Sequence, residues 1–270
     1  MTPEDARATL DEAASVGGAD FPLLDAAIAC AIDDWPWRES APVRALVDNG
    51  IAQLRSRLGE LAPDEALAET LALDLRLTGE ILRLDDPGQT DIIEVCERRR
   101  GQPVMLATLY VLIGRGAGLE VSGIDFPGHF LVRVRTPEGI TVIDPFIEGR
   151  EVGASELTRR ALRAGLLPHV ADRLDRLTAS VSPLAMLVRM QNLIFAQAMN
   201  HRDHERAERA ALRVARLTPS DYRPWLDVAA AREQQGALSG ALQALDEAHQ
   251  RGGRAVPHGP RSDQVRLRLN

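Results

Sequence analysis

Cys96–Leu109 reads CERRRGQPVMLATL, and this stretch joins the end of one helical pattern to the start of another. The first pattern begins at Thr90, a good N-cap residue, and stops before Gly101. Pro103 suits the first turn of the next helix, where a missing amide hydrogen costs little. Apolar residues then recur at helical spacing to about Gly116, which predicts a buried helix that starts at Pro103.

The period of the apolar pattern changes after this helix. Short runs of β type start at Val121, Phe130 and Ile140. They are separated by the turn sequences Phe126-Pro127-Gly128 and Thr136-Pro137-Glu138-Gly139. We therefore expect three antiparallel strands after one buried helix, which is an α+β core.

The regions before and after this core are predicted to be helical. From Pro3 to about Leu84, apolar residues recur at helical spacing between glycine and proline breakers, which predicts an all-helical lead-in. From Pro183 onward the pattern is helical again, after a less regular stretch. We therefore expect one domain of residues 1–182 and a second domain of residues 183–270.

The second domain contains an internal repeat. Ala207 and Ala241 lie 34 residues apart, and Trp225, Leu245 and Pro219 fall at offsets that resemble the tetratricopeptide pattern. The pattern predicts an all-α, tetratricopeptide-like helical array, because small residues at these positions let paired helices approach closely. The alternative is an ordinary helical bundle in which the 34-residue spacing arises by chance. The predicted units are Leu187–Ser220 and Asp221–Arg254, with Asp263–Leu269 as a capping helix.

Three segments carry a family resemblance. The helix near Pro103, the stretch FPGHFLVR at residues 126–133 and the stretch VIDPF at residues 142–146 follow the order of a transglutaminase-like core. The chain also resembles, from about Ala41 to its C-terminus, a bacterial family often called invasion-regulator-like, which joins this core to tetratricopeptide repeats. The resemblance implies a papain-type core in which a buried helix packs on a small antiparallel sheet.

The resemblance also implies residue roles. In active members of the superfamily a thiolate at the helix start attacks a carbonyl carbon, a His acts as its base, and an Asp orients the imidazole. His129 takes the base position and Asp144 the orienting position. The nucleophile position is residue 103, which is Pro103. A pyrrolidine ring carries no nucleophile, so the usual thiol chemistry cannot start there.

Other interpretations of this remnant site stay open. Cys96 lies two helical turns upstream of residue 103, on the far side of Gly101, where a small buried hydrophobe is the ordinary expectation. The enzymatic alternative is a cysteine-type hydrolase or transamidase that uses His129 and Asp144 with Cys96, or with an activated water. Without catalysis, the His and Asp form a structural hydrogen-bonded pair or the remnant of a peptide site.

Several residues are candidates for partner binding. Arg98 and Arg99 belong to a basic cluster next to the predicted site, where they could receive a carboxylate or an acidic peptide. The alternative is a solvated helix face on which they pair with Glu94 or Glu97. The full set of candidate binding residues is Arg98, Arg99, Gln102, Phe126, Phe130 and Trp225.

Metal and cofactor chemistry are not expected. The chain has two cysteines, which excludes a four-cysteine zinc site, and His201 and His204 lack a third ligand. All 32 basic residues are arginines, so Schiff-base and P-loop mechanisms that need lysine are excluded.

Composition and charge favour a protein-binding role. The net charge of −7 argues against binding to nucleic-acid backbones. No long apolar run or signal-peptide layout is evident, so no membrane association is expected and we expect a cytoplasmic location. The sequence therefore predicts a non-catalytic scaffold or regulator that binds a protein or peptide. It does not predict the oligomeric state.

Overall fold

A computed structural model describes residues 1–82 and 86–252 of the 270-residue chain. The predicted capping helix Asp263–Leu269 and the last residues of the second predicted repeat, Gly253 and Arg254, lie outside the described residues. Within these ranges, none of the helices combines the length and apolarity that crossing a bilayer requires.

The N-terminal region is helical as far as Asp74, but the predicted all-helical lead-in to Leu84 is wrong beyond this point, because Thr78–Gly79 is a short strand. Thr2 caps the first helix, because its hydroxyl accepts a hydrogen bond from the Asp5 amide while Pro3 occupies the first turn. A π-helical segment, Thr70–Asp74, continues the fourth helix. The helices are α1 (Pro3–Ser15), α2 (Leu23–Asp34), α3 (Ala41–Arg57) and α4 (Pro63–Glu69).

Two helices meet in the stretch Cys96–Leu109. Helix α5 (Ile92–Arg98) begins one residue later than predicted, because the Asp91 side chain accepts hydrogen bonds from the Ile93 and Glu94 amides. Arg99 ends α5 in the left-handed conformation, with a φ of 62°. Helix α6 (Pro103–Gly116) then starts at the predicted proline and is buried along most of its length.

Two small sheets accompany these helices. Strands β1 (Thr78–Gly79) and β2 (Arg100–Gly101) form a short parallel pair. In the described part of the chain, four further strands make an antiparallel sheet in sequence order: β3 (Val121–Phe126), β4 (His129–Thr136), β5 (Gly139–Asp144) and β6 (Arg150–Glu151). The three predicted strands are present, whereas β6 and the β1–β2 pair are too short to produce a period in the sequence.

The antiparallel sheet is covered on both faces. Phe130, Val132 and Val134 of β4 point into the same buried cluster as α6. Leu131, between them, points the other way into a smaller cluster that contains Leu157 of helix α7 (Ala154–Arg163). Since side chains alternate along a strand, His129 shares the face of Leu131. Short helices α8 (Pro168–Ala171) and α9 (Leu174–Leu177) follow α7.

The C-terminal helices pack on one another in sequence order and also on the core. They are α10 (Pro183–Asn200), α11 (His204–Leu217), α12 (Arg223–Gln234) and α13 (Leu238–Gly252). Met186, Leu187 and Met190 of α10 belong to the buried cluster that contains α6. A Cβ atom on Gly123 would lie 3.0 Å from the Met186 sulfur, so the glycine allows this close approach. The apolar core therefore continues across the predicted boundary at residue 182.

A buried ionic cluster joins the two ends of the chain. Asp34, at the end of α2, accepts hydrogen bonds from Arg206 Nε at 2.9 Å and from Arg213 Nη1 at 2.9 Å. Asp33 accepts a second hydrogen bond from Arg213 Nη1, also at 2.9 Å. These four side chains are almost completely shielded from solvent. Each charge therefore depends on its partners, because an isolated buried charge is very costly.

The arginines also set the ionisation of Asp34. Burial alone would raise the pKa of this carboxyl, but the charges and hydrogen bonds of Arg213 and Arg206 outweigh burial and lower the pKa from 3.8 to about 2. The pKa of Asp91, which lies near this cluster, is shifted in the opposite direction. Burial raises its pKa to about 6, against the opposing charge of Arg38.

We predict that Asp34→Asn lowers the free energy of unfolding by about 3 kcal/mol or more, because the buried Arg206 loses its ion-pair partner and Arg213 keeps only Asp33. The lowered pKa of Asp34 means that its contribution is present above pH 3.8 and is lost as the pH falls through about 2. The variant should therefore lack part of the acid-induced loss of stability below about pH 4. Urea unfolding followed by circular dichroism at a series of pH values measures both effects.

Asp25→Asn is the matched control, because Asp25 forms an exposed ion pair with Arg44 at 2.6 Å. Its loss should cost no more than about 1 kcal/mol. Because the pKa of Asp91 is raised to about 6, protonation of Asp91 stabilises the folded protein as the pH falls from about 6 to about 4. Below pH 4 this contribution is constant, so it does not affect the comparison of the two variants. Equal losses for the two variants would contradict the assigned importance of the buried cluster.

Candidate functional site

A tight turn places His129. Pro127 and Gly128 connect β3 to β4, and Gly128 has a φ of 74°, which a glycine adopts without strain at the third position of such a turn. His129 is the first residue of β4 and pairs with Phe126 across the hairpin. Its ring is half-buried and lines a groove on the α7 side of the sheet.

Asp144 ends β5 and is completely enclosed by protein. Its Oδ1 atom accepts a hydrogen bond from the Phe146 amide at 3.0 Å, which starts a short 3₁₀ turn at Pro145. Its Oδ2 atom accepts a hydrogen bond from Arg160 Nη1 at 2.6 Å. The carboxylate thus has a partner at each oxygen, and one of these partners carries a full positive charge.

Arg160, on α7, is the partner of Asp144 that sequence analysis did not identify. Its Nε and Nη2 atoms also donate to Glu156 Oε1, at 3.0 and 2.7 Å. No hydrogen bond joins His129 to Asp144 in the described residues. Asp144 therefore holds Arg160 in place, and it does not orient the imidazole as the resemblance implies.

The electrostatic surroundings keep His129 neutral. Burial is the main cause of its lowered pKa, and the charge of Arg160 lowers the pKa further. The negative charges of Asp144 and Glu156 raise the pKa of His129, but by less than burial and Arg160 lower it. Since the ordinary pKa of a histidine is already below 7, the ring is predominantly uncharged at neutral pH. It can then donate one hydrogen bond and accept another.

Pro103 lies on a different side of the sheet from His129. It is the first residue of α6, and α6 packs against the face of β4 that carries Phe130. His129 lines a groove with residues of α7 on the opposite face. The structure therefore does not bring together the predicted nucleophile position and the predicted base.

Neither cysteine is a ready nucleophile. Cys96 is 2% exposed and Cys30 is 3% exposed, and burial raises the pKa of each thiol to about 12. At neutral pH both remain protonated, and the thiol is the unreactive form. Neither cysteine lines the groove at His129.

Two buried hydroxyl groups, those of Thr108 and Tyr110, are also unsuited to act as nucleophiles. The Thr108 hydroxyl donates to the Val104 carbonyl oxygen at 2.8 Å, within its own helix. Burial raises the pKa of Tyr110, and the charges of Asp144 and Glu148 raise it further. The phenol is therefore firmly protonated at neutral pH.

The basic candidates at the end of α5 form a separate group. Arg98 pairs with Asp86 at 2.6 Å and also with Glu94. Gln102 donates to Gln89 Oε1 at 2.6 Å, and Arg99 takes the left-handed position that ends α5. Arg98 and Gln102 thus have local partners, and none of the three lines the groove at His129.

The aromatic candidates differ in how accessible they are. Phe126 and Phe130 lie in the core, at 1% and 2% exposure, so a partner cannot reach them in this conformation. Trp225 is partly buried among α11, α12 and α13, and the Arg251 guanidinium lies 4.7 Å from its ring centroid. Trp225 belongs to the C-terminal helices and not to the groove at His129.

The groove beside His129 contains charged residues that sequence analysis missed. We name it the arginine groove. Its volume is about 450 Å³. Arg159 and Arg163 are four residues apart on α7, so they lie on one helix face, and this spacing was readable in the sequence. The charged and titratable residues that line the arginine groove are His129, Arg150, Glu156, Arg159, Arg160 and Arg163.

Metal-binding groups are not apparent. The described residues contain no group of three or more His, Cys, Asp or Glu side chains that could hold a metal ion.

Comparisons with known proteins agree with the shape of the core. The family model described as the transglutaminase-like superfamily matches residues 41–192, which is more than half of the chain. The match runs from the start of α3 into α10, so it includes α6, the antiparallel sheet and α7.

Alignments with bacterial relatives cover more of the chain than the family model does. Proteins named UPF0162 protein in two strains of Xylella fastidiosa, Temecula1 and 9a5c, are each 32% identical to this chain over 242 and 240 residues. Each alignment covers 86% of this chain and 84% of the relative. A UPF0162 protein of Pseudomonas aeruginosa is 27% identical over 205 residues, which cover 68% of this chain and 75% of the relative. No solved structure matches the chain.

We predict that Arg160→Met raises the pKa of His129, because one positive charge is removed while Asp144 and Glu156 remain. The same change leaves Asp144 buried without a cation and should cost about 3 kcal/mol of stability. Nuclear magnetic resonance titration of the imidazole measures the first effect, and chemical denaturation measures the second.

Arg159→Met is the matched control, because Arg159 is exposed and its ion pair with Glu156 is long, at 3.9 Å. Its stability should change by less than about 1 kcal/mol. A lower or unchanged pKa of His129 in Arg160→Met would show that Arg160 does not control this histidine.

Proposed function

The chain belongs to the transglutaminase-like superfamily, and from this premise we propose that it is a non-catalytic member that binds a protein or peptide partner. In this proposal the core supplies a groove and the C-terminal helices form a tetratricopeptide-like array, as in the invasion-regulator-like family. The protein acts as a scaffold or regulator and makes or breaks no covalent bond in its partner.

The binding of Asp144 to Arg160 carries the proposal. The carboxylate accepts hydrogen bonds from Arg160 and from the Phe146 amide, and in the described residues it makes none with His129, so it does not orient the imidazole. A catalytic His needs a fixed tautomer and orientation, which the Asp supplies in active triads. His129 lacks this support.

The lack of a suitable nucleophile is a second, independent support. Pro103 has no reactive group, and burial keeps Cys96 and Cys30 in their protonated thiol form. His129 also lies on the sheet face away from α6, whose first turn would carry the nucleophile. Covalent catalysis would need a reactive group at the start of α6 and an imidazole on the face of the sheet that α6 covers.

Packing in the C-terminal helices supports the repeat interpretation. Ala207 of α11 and Ala241 of α13 are both completely buried, as expected of small residues where two helices approach closely. Trp225 packs in a cluster with Leu245, beyond the first predicted unit. Such stacked helix pairs leave side chains on one surface free to contact a partner.

We predict that neither cysteine of the folded protein reacts quickly with iodoacetamide, because burial leaves almost no thiolate at neutral pH. Both should become reactive in urea. Mass spectrometry of the labelled chain over a range of pH measures the rate at each cysteine, and the urea-unfolded chain is the control for intrinsic reactivity.

The same sample should release no product from amide or ester substrates, and His129→Ala should change nothing in either assay. One outcome would establish the enzymatic alternative. It is a single fast, pH-dependent labelling of Cys96 that disappears in His129→Ala, accompanied by turnover of an amide or ester.

A further inference from the structure

The arginine groove carries an excess of positive charge in a protein whose net charge is −7. The guanidinium groups of Arg150, Arg159, Arg160 and Arg163 face two carboxylates, those of Glu156 and Asp144. Two positive charges are therefore left without a counter-charge. Arg163 forms no ion pair with any described residue, and the Arg159 pair with Glu156 is long, at 3.9 Å.

The base of the groove is held rigidly. Arg160 is buried and bridges Asp144 and Glu156, and Glu156 in turn accepts a hydrogen bond from Arg150 at 2.8 Å. A ligand that binds here would find Arg150 already positioned. Positioned groups lose less conformational entropy on binding, which favours affinity.

The rim of the groove combines charge with an apolar surface. Arg159 and Arg163 project from one face of α7 and are exposed. Opposite them, Pro127 and Ile147 line the groove, and Ile147 is 43% exposed. An exposed isoleucine in the same groove as the unpaired Arg163 and the weakly paired Arg159 suits a ligand that carries an anion next to an apolar group.

The chemistry of the groove favours a small oxyanion. A guanidinium presents parallel N–H donors that match two oxygens of a carboxylate or of a phosphate, and the exposed Ile147 in the same groove favours the carboxylate of a peptide. The half-buried, neutral imidazole of His129 adds a hydrogen-bonding group inside the groove. The acidic protein around this groove disfavours extended polyanions such as nucleic acids, because their phosphates outside the groove would be repelled.

We propose that the arginine groove binds a carboxylate of an acidic peptide, with Arg159 and Arg163 as its main contacts and with Ile147 against a neighbouring apolar side chain. The proposal rests on the proposed function for the nature of the partner. It differs from the predicted cluster at the end of α5, where Arg98 already pairs with Asp86 and Glu94.

The test uses the full chain and a short fluorescein-labelled peptide of glutamates and leucines that is blocked at both ends. Fluorescence anisotropy measures its affinity for the wild type and for Arg159→Gln/Arg163→Gln. The double variant should bind about tenfold more weakly or worse, because two charge-assisted contacts are lost. Added salt should weaken wild-type binding.

Arg44→Gln/Arg135→Gln is the matched control, since it removes the same charge from exposed arginines outside the groove. It should bind the peptide like the wild type. Thermal unfolding followed by circular dichroism checks that both double variants are folded. Arg159→Lys/Arg163→Lys keeps the charge without the planar donor pair, and its affinity should lie between those of the wild type and the glutamine variant.

A second peptide with neutral side chains and a free C-terminus distinguishes a terminal carboxylate from side-chain carboxylates. Binding of either peptide that is lost in Arg159→Gln/Arg163→Gln supports the inference. Absence of binding by both, or equal binding by both glutamine variants, would overturn it. Displacement of the peptide by inorganic phosphate at far lower concentration than by acetate would also overturn it, in favour of a phosphate site.

Mass spectrometry of the peptide after incubation separates this inference from the proposed function. An intact peptide agrees with both. A cleaved or modified peptide that still requires Arg159 and Arg163 would leave the carboxylate site in place and refute the non-catalytic role. An intact peptide that does not bind refutes the carboxylate site alone.

Discussion

Both faces of the antiparallel sheet are covered, and this constraint decides where each side chain of β4 can lie. The turn at Pro127-Gly128 starts β4 at His129, and alternation along the strand then sends Phe130 towards α6 and His129 towards α7. A shift of one residue would exchange the two faces and place the imidazole in the apolar core. The hairpin therefore determines both the packing of α6 and the composition of the arginine groove.

The Asp144 to Arg160 ion pair links this fold to its chemistry. A buried carboxylate at the end of a strand needs a counter-charge, and Arg160 of α7, the helix that also carries Arg159 and Arg163, supplies it. Asp144 makes this contact and forms no hydrogen bond with His129 within the part of the chain that the structure describes. His129 lines a groove with four arginines, and one of these arginines is paired with Asp144.

The order of elements in the core could be predicted from the sequence, because α6 and strands β3 to β5 each have a clear period and clear breakers. Pro103 and Gly128 also indicate their own positions, since proline has a fixed φ and glycine adopts the positive φ that this turn requires. The partner of Asp144 could not be predicted in this way. Arg160 lies on a separate helix, α7, and no local sequence pattern predicts which face of the sheet α7 covers. The burial of Phe126 and Phe130 depends likewise on long-range packing.

The ionic cluster of Asp33 and Asp34 has a consequence for the order in which the chain can fold. Its arginines are on α11, and Arg206 and Asp34 are separated by 172 residues. During synthesis, Asp34 must wait for almost the whole chain before it meets its counter-charge, whereas Asp33 also pairs with Arg7 of α1, at 3.0 Å. A fragment cut at residue 182 would keep both carboxylates and lose Arg206 and Arg213, so the N-terminal part depends on the C-terminal helices for its own completion.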